Sequence, residues 1–291
     1  MPELPDVAIL ADAFQAALVG RPVEHIEVRE SLVVRGTPAE LAALLGQPVR
    51  RVWRRGKFLV FELERDRLVF NPMLTGRLGL ATPGAKPGAK LALIVRLGAR
   101  RDVGRSEPFA AWTRDGAWLP SPTAAVEVRY RDQTRMGKVY VLPTGVERPI
   151  PGWDELGPDA DDPRLDLETW QTRIRRHSGE LKNLLRNQSF VAGIGNAYSD
   201  EILWAARLAP FRKRATLAPD EVDTLYRAVR EVLPWAVDEL RERVPPRFEV
   251  EVRDFLRVHR HGGEPCPRCG APISEVSAGG FVTDFCRACQ R

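Results

Sequence analysis

The chain lacks three features that would each indicate a particular class of protein. Its first 265 residues contain no cysteine, it has no run of about 18 apolar residues, and its start, MPELPDV, has no apolar signal segment. A disulfide-rich secreted domain and a membrane-spanning protein are therefore both disfavoured. We expect a cytoplasmic protein that is not secreted.

All four cysteines lie in the last 26 residues, as Cys266-Pro-Arg-Cys269 and Cys286-Arg-Ala-Cys289. Each C-x-x-C turn presents two thiolates on one side of a tight loop, and two such turns complete a tetrahedron around a zinc ion. Two disulfides are the alternative, which the cysteine-free remainder of the chain makes weak. The spacing predicts one Zn²⁺ with a structural role, bound by Cys266, Cys269, Cys286 and Cys289.

Positive charge is concentrated in clusters rather than spread evenly over the chain. The net charge is +5, and five cations stand between Arg50 and Lys57. Two further clusters run from Arg173 to Arg186 and from Arg207 to Arg214. Any one of them is typical of a solvated surface, but three beside a zinc module favour a phosphate-binding face.

The pattern of apolar and punctuating residues divides the chain into four segments. Residues 1–147 form a β-rich domain, which we expect to be a sandwich, opened by a helix from Pro5 to Gly20 and including a short helix capped by Thr37. Residues 148–163 are a linker rich in proline and acids, and residues 164–246 are helical. Residues 247–291 begin with a strand-like stretch over 247–258 and end in the zinc module.

Two segments carry possible chemistry of their own. In LKNLLRNQSFVAGIGNAYSDEIL, Gly193 and Gly195 permit a tight turn before a helix that begins at Asn196, and backbone amides at such a turn can bind phosphate. At the amino terminus, removal of Met1 would expose Pro2 as a secondary amine, which attacks sugar carbons to form Schiff bases. The adjacent Glu3 is suited to moving protons on the opened sugar.

Together these motifs resemble the formamidopyrimidine-DNA glycosylase/endonuclease VIII family. The resemblance rests on MPELPDV, Gly56-Lys57, VAGIGNAYSDEIL and the four cysteines, and it covers essentially the whole chain. It implies an α+β fold with an N-terminal β-sandwich, a helix-two-turns-helix domain and a C-terminal zinc-finger β-hairpin. It also implies an enzyme that excises oxidised bases from duplex DNA and nicks the strand, which we expect to act as a monomer on DNA containing damaged bases or abasic sites and to have no membrane partner.

The resemblance assigns roles residue by residue. Pro2 is implied to be the nucleophile that forms the imine with C1′, Glu3 the general acid/base, and Lys57 a contact to the phosphate beside the lesion. Phosphate contacts are implied for Lys182 and Asn196, and insertion into the duplex for Leu74 and for Arg135 or Met136. Phe281, which the zinc hairpin presents, is a further expected DNA contact.

Two departures from the family pattern leave alternatives open. Phe281 stands where the resemblance implies an arginine that grips the lesion phosphates, and Thr134 stands where an arginine would face the unpaired base. A non-catalytic or lyase-only protein that binds damaged DNA is one alternative, and an RNA-binding zinc protein is another. The sequence names neither the lesion nor the base opposite it.

Overall fold

The computed structural model describes residues 1–100, 118–278 and 280–291, which separate into two compact units. The first, here the N-terminal unit, contains residues 1–2, 6–151 and 241–251. The second, the helical–zinc unit, contains residues 3–5, 152–240 and 252–291. The four-segment division therefore remains a prediction, since in this structure the helical segment and the cysteine segment belong to the same unit.

Two β-sheets form the body of the N-terminal unit. A four-stranded antiparallel sheet has the order β1 (Val23–Val28), β7 (Leu91–Leu97), β8 (Val126–Asp132), β6 (Gly76–Ala81). A five-stranded sheet has the order β2 (Val34–Arg35), β9 (Lys138–Leu142), β5 (Arg67–Asn71), β4 (Phe58–Leu63), β3 (Val49–Arg55), in which only the β2–β9 pair is parallel. Apolar runs such as Phe58–Phe61 are buried in these sheets, as the sequence predicts.

Aromatic side chains connect the two sheets with the first helix. The rings of Phe70 in β5 and Tyr130 in β8 lie 5.9 Å apart, which joins one sheet to the other. Helix α1 (Leu4–Leu18) places Phe14 against Phe61 of β4 with ring centroids 6.1 Å apart. Edge-on and tilted contacts at these distances are the arrangements that aromatic pairs favour in a packed core. The expected sandwich is confirmed.

Local sequence signals determine the second helix. Thr37 caps α2 (Pro38–Ala43): its side chain accepts a hydrogen bond from the Glu40 amide, and the Glu40 side chain accepts one from the Thr37 amide. This capping box satisfies two amides that the first turn of a helix otherwise leaves unpaired.

Four helices form the body of the helical–zinc unit: α3 (Leu167–Arg175), α4 (Leu181–Arg186), α5 (Asn196–Ala205) and α6 (Pro219–Arg243). Helix α6 continues through Pro234, and its last three residues belong to the N-terminal unit. The core of the helical–zinc unit includes Trp170 and Phe190, whose rings are 4.9 Å apart.

The strand expected over residues 247–258 is wrong, because this stretch contains turns, bends and irregular backbone and no strand. At its end the backbone amides of Arg257, Val258 and His259 donate to the buried carboxylate of Glu201. These amides are thus satisfied by a side chain rather than by a neighbouring strand.

A β-hairpin lies near the carboxyl end, with strands β10 (Ser274–Ala278) and β11 (Phe281–Phe285). In the part of the chain that the structure describes, no helix is both long and apolar enough to cross a membrane.

Candidate active site and metal centre

The Glu3 carboxylate is buried at the amino terminus of α5. Its oxygens accept hydrogen bonds from the backbone amides of Gly195 at 2.7 Å, Ala197 at 2.8 Å and Tyr198 at 3.3 Å. A helix amino terminus favours an anion through its unpaired amides and its dipole. The expectation that these amides bind a DNA phosphate is therefore wrong, because a side chain of the protein occupies them.

Two glycines make this approach of the amino-terminal segment possible. A Cβ on Gly195 would lie 2.4 Å from the Glu3 carboxyl carbon, and one on Gly193 would lie 2.7 Å from Leu4. Gly193 also has φ +103°, a conformation that other residues rarely adopt, and its carbonyl accepts a hydrogen bond from the Leu4 amide. The glycines of this turn thus serve to position Glu3.

Pro2 is buried in the N-terminal unit, in a small cavity that is also lined by Asp6, Arg77 and Glu251. Arg77 donates to the Glu251 carboxylate, and the amino group of Met1 lies 3.6 Å from the same carboxylate. The cavity therefore combines a carboxylate and a cation close to the chain terminus. Such groups can orient a terminal amine and screen its charge.

Lys57 lies in the turn between β3 and β4, directly after Gly56, whose φ is +55°. The turn requires a residue that tolerates this conformation, which explains the Gly-Lys pair. The Lys57 side chain is half-buried.

Leu74 and Met136 lie on adjacent loops of the N-terminal unit and are 44% and 45% exposed. Asp132 connects the loops: its carboxylate accepts hydrogen bonds from the hydroxyls of Thr75 and Thr134. The two hydroxyls also lie 2.7 Å apart. Two exposed apolar side chains on one edge can insert between bases, and Thr134 has a role in holding the loops.

Arg135 lies between Thr134 and Met136 on the same loop, with φ +58°. Its guanidinium forms a 2.7 Å ion pair with Glu30 while the side chain remains 56% exposed. Arg135 must therefore either break this ion pair to contact DNA or contact DNA through the exposed part of its side chain while the pair stays formed.

The four cysteine sulfurs converge at the hairpin, with every ligand atom within 4.8 Å of the others. Cys266 and Cys289 are 4.0 Å apart at sulfur, Cys269 and Cys286 are 3.5 Å apart, and none forms a disulfide. A tetrahedron with Zn–S bonds of about 2.3 Å has edges of about 3.8 Å, so the donor set fits zinc. Trp204 supports the cluster by donating its indole N–H to the Cys266 sulfur at 3.4 Å.

Lys182 does not have the geometry of the expected phosphate contact. Its side chain is 4% exposed, and its ammonium group donates to Asp200 Oδ1, the Val282 carbonyl and the Thr283 hydroxyl at 2.7–2.9 Å. An ammonium group has three hydrogens, so these partners use all of them. Burial lowers the pKa of Lys182, and Asp200 opposes that shift. The lysine joins α4 and α5 to β11.

Asn196, the first residue of α5, is only partly buried and also contacts β11. Its Nδ2 donates to the Val282 carbonyl at 2.9 Å, and its Oδ1 makes no hydrogen bond with the described residues. One hydrogen of Nδ2 remains for a ligand, so the expected phosphate contact stays a prediction.

Phe281, the first residue of β11, is 41% exposed. The guanidinium carbon of Arg186 lies 3.6 Å from the centroid of its ring. The sequence placed Arg186 only in a basic cluster, and no local signal indicated its contact with a residue so distant in the chain.

A second group of charged residues was missed from the sequence. Asp200, His259 and Asp284 are all buried, with His259 Nδ1 2.9 Å from Asp200 and 3.8 Å from Asp284. Burial raises the pKa of Asp284 and that of the neighbouring Glu201. Because Lys182 also contacts Asp200, the group forms a charged core beneath β11.

Three family models match the chain in order. The formamidopyrimidine-DNA glycosylase N-terminal domain matches residues 1–139, the formamidopyrimidine-DNA glycosylase H2TH domain matches residues 156–244, and the zinc finger found in FPG and IleRS matches residues 263–291.

Curated relatives and solved structures match this chain over 99–100% of its length. A formamidopyrimidine-DNA glycosylase of Symbiobacterium thermophilum is 33% identical over 100% of this chain and 89% of its own length. One from Heliobacterium modesticaldum is 31% identical over the whole of both chains. Among solved structures, the complex between Lactococcus lactis Fpg and an abasic site containing DNA is 25% identical, with a TM-score of 0.82 and 99% of each chain covered. A complex of Lactococcus lactis Fpg with FAPY-dG containing DNA also has a TM-score of 0.82 and 25% identity, over 99% of this chain and 100% of that one.

Proposed function

The chain belongs to the formamidopyrimidine-DNA glycosylase family, and from this membership we propose that it excises damaged bases from duplex DNA and then cleaves the strand at the abasic site. It is thus a DNA glycosylase with AP-lyase activity. The observation that carries the proposal is the placement of Glu3, which is buried against the first amides of α5 and is covalently next to Pro2.

Pro2 is the proposed nucleophile. Once Met1 is removed, the ring nitrogen is a secondary amine with a lone pair, which an internal peptide nitrogen lacks. It attacks C1′ of the damaged nucleotide, the bond from C1′ to the base breaks, and the base leaves with a proton. The nitrogen lone pair then forms an iminium as the C1′–O4′ bond breaks and the ring oxygen takes up a proton. The iminium makes the C2′ hydrogen acidic, and removal of that hydrogen expels the 3′ phosphate.

Glu3 is the proposed proton carrier for these steps. Its two oxygens are fixed by three backbone amides, so it starts at a defined position and needs no reorganisation during the reaction. It takes the proton that the Pro2 nitrogen loses on attacking C1′, and it gives that proton to the sugar ring oxygen as the C1′–O4′ bond breaks. Lys57, in its glycine-supported turn, is proposed to bind the phosphate beside the lesion.

The remaining proposed assignments are structural or concern DNA contact. One zinc ion bound by the four cysteines holds the hairpin, and Asn196 contacts a backbone phosphate. Leu74, together with Met136 or Arg135, fills the gap that the flipped nucleotide leaves. We propose that the protein acts as a monomer in the bacterial cytoplasm, at the nucleoid.

Borohydride trapping on a duplex with one abasic site tests the nucleophile. The wild-type chain, shown by intact mass to lack Met1, is expected to form a covalent adduct. Pro2→Gly is expected to lose most of it, because glycine lacks the ring that orients the amine. Glu3→Gln is expected to bind the same duplex but to release a damaged base about 10²–10⁴-fold more slowly, as general acid–base catalysis is lost.

Absence of any adduct with the mature wild-type chain, under conditions that trap a Lactococcus lactis Fpg control, would contradict the enzymatic function. Tight binding to the abasic duplex in that case would favour the alternative of damaged-DNA binding without turnover. That alternative is motivated by Phe281 and by Thr134, whose hydroxyl is held within the loop network.

A further inference from the structure

One guanidinium of the helical–zinc unit has no polar partner among the residues that the structure describes. Arg186 is the last residue of α4, and within residues 1–100, 118–278 and 280–291 its guanidinium makes no hydrogen bond or ion pair. The guanidinium instead contacts the Phe281 ring, with its carbon 3.6 Å from the ring centroid. An arginine has five N–H donors, and a partly buried one normally satisfies them.

The stacking geometry leaves these donors available. At 3.6 Å the guanidinium must meet the ring through its flat face, because an edge-on N–H would hold the carbon farther away. The N–H groups then lie around the edge of the guanidinium, in the fork that matches two phosphate oxygens. The aromatic ring restricts the side chain without using its hydrogen-bonding capacity.

Contacts with β11 bring Arg186 close to Asn196. Glu3 and Asp200 both act on Arg186: burial lowers the pKa of Arg186, and these two carboxylates oppose that shift. Asn196, the other proposed phosphate ligand, contacts the carbonyl of Val282, which directly follows Phe281. Arg186 and Asn196 therefore contact successive residues of β11, Phe281 and Val282.

Arg186 and Lys182 are one turn apart on α4 but differ in what they offer a ligand. Lys182 uses all three hydrogens on protein acceptors, whereas Arg186 uses none of its five on the described residues. A cation kept partly desolvated without a partner is destabilising unless a ligand completes the site. A DNA backbone phosphate is the anion that the proposed function brings there.

We propose that Arg186, held against the Phe281 ring, binds a backbone phosphate at the lesion and takes the place of the arginine that the hairpin lacks. This inference rests on the proposed function, because the phosphate belongs to the bound DNA. In this arrangement Phe281 positions Arg186, and α4 rather than the hairpin supplies the cation that binds the phosphate. Arg186 then compensates for the phenylalanine at position 281, and phosphate binding is retained.

Binding measurements that involve no chemistry test the proposal. Affinity for a duplex containing a stable abasic-site analogue is measured by fluorescence anisotropy over a range of salt concentrations. Arg186→Met keeps an unbranched side chain of similar helix propensity, and it is expected to weaken binding about 10- to 100-fold, as loss of a charge-assisted pair implies. The slope of log affinity against log salt is expected to fall by about one.

Three further variants distinguish the effect of the Arg186 charge from the effect of its contact with the Phe281 ring. Arg227→Met removes an exposed cation from α6 of the same unit and is expected to change affinity less than about twofold. Phe281→Leu keeps Arg186 but removes the ring, and a loss of about 3- to 10-fold is expected because cation–π contacts are weaker than phosphate pairs. The exchange Arg186→Met/Phe281→Arg returns a guanidinium to the same place and is expected to recover affinity relative to Arg186→Met.

Equal affinities and salt slopes for Arg186→Met and Arg227→Met would overturn the inference, as would failure of the exchange variant to exceed Arg186→Met. Thermal denaturation establishes that each variant is folded, and Arg186→Gln, which also removes the charge, replaces Arg186→Met if that variant is not. The proposed function is judged separately, by wild-type trapping. Wild-type trapping with an unchanged Arg186→Met slope would reject only the role of Arg186.

Discussion

The two units hold their candidate residues in different ways. In the helical–zinc unit, Glu3 and Lys182 are buried and bound by charge-assisted hydrogen bonds to several partners. In the N-terminal unit, Leu74 and Met136 are almost half exposed on loops joined by the Asp132 network. Substitutions at the buried residues of the helical–zinc unit should therefore alter stability and activity together. Substitutions at the loop tips of the N-terminal unit should alter activity alone.

Loss of the metal is expected to have the largest effect. Cys286→Ser replaces a fully buried thiolate with a weak ligand. Structural zinc contributes roughly 10–16 kcal/mol in isolated zinc-finger peptides, so the hairpin should unfold and β11 should detach from α4 and α5. Zinc content, proteolysis of residues 263–291 and binding to abasic duplex are the measurements, with Ser277→Ala on β10 as the control. A variant that retains stoichiometric zinc and protease resistance would contradict a four-cysteine structural site.

Lys182→Met is expected to have the next largest effect, on stability. The substitution leaves Asp200 buried without its cation, and breaking a buried ion pair in this way costs about 3–5 kcal/mol. Chemical denaturation is the measurement, and Lys213→Met removes an exposed lysine as the control. Adding Asp200→Asn should restore part of the loss, because the uncompensated charge is then removed.

The same variant decides between the structural role of Lys182 and the phosphate contact implied by the sequence. If the structural role is right, the salt slope of DNA binding by folded Lys182→Met matches that of the wild type. A slope lower by about one, with unchanged stability, would restore the phosphate contact.

Features that depend on residues close together in the sequence were predicted correctly. The capping box at Thr37, the start of α5 at Asn196 and the paired cysteine turns are each encoded within a few residues, and the structure contains all of them. The family resemblance extended this to the order of the domains. Zinc-ligand spacing is equally local, since each thiolate pair belongs to one turn.

Roles that depend on distant residues were not predictable from the pattern. The amides that bind Glu3 lie at least 192 positions along the chain, and Lys182 meets acceptors 100 and 101 positions away. A lysine or arginine in a basic helix has the same local signature whether its partner is a buried carboxylate, an aromatic ring or solvent. For the same reason, the sequence placed Lys182 and Arg186 in one cluster although their surroundings differ.

The smallest effect on stability is expected at the tip of the loop between β5 and β6. Leu74→Ala removes a side chain that is 44% exposed, so the free energy of unfolding should change by no more than about 0.5 kcal/mol. Leu45→Ala, at a leucine of the same unit that is 46% exposed, is the matched control. Excision of a damaged base should slow only for Leu74→Ala if this side chain fills the gap left by the flipped nucleotide. A large loss of stability, or equal excision by the two variants, would instead make Leu74 an ordinary packing or surface residue and remove the contrast between the units.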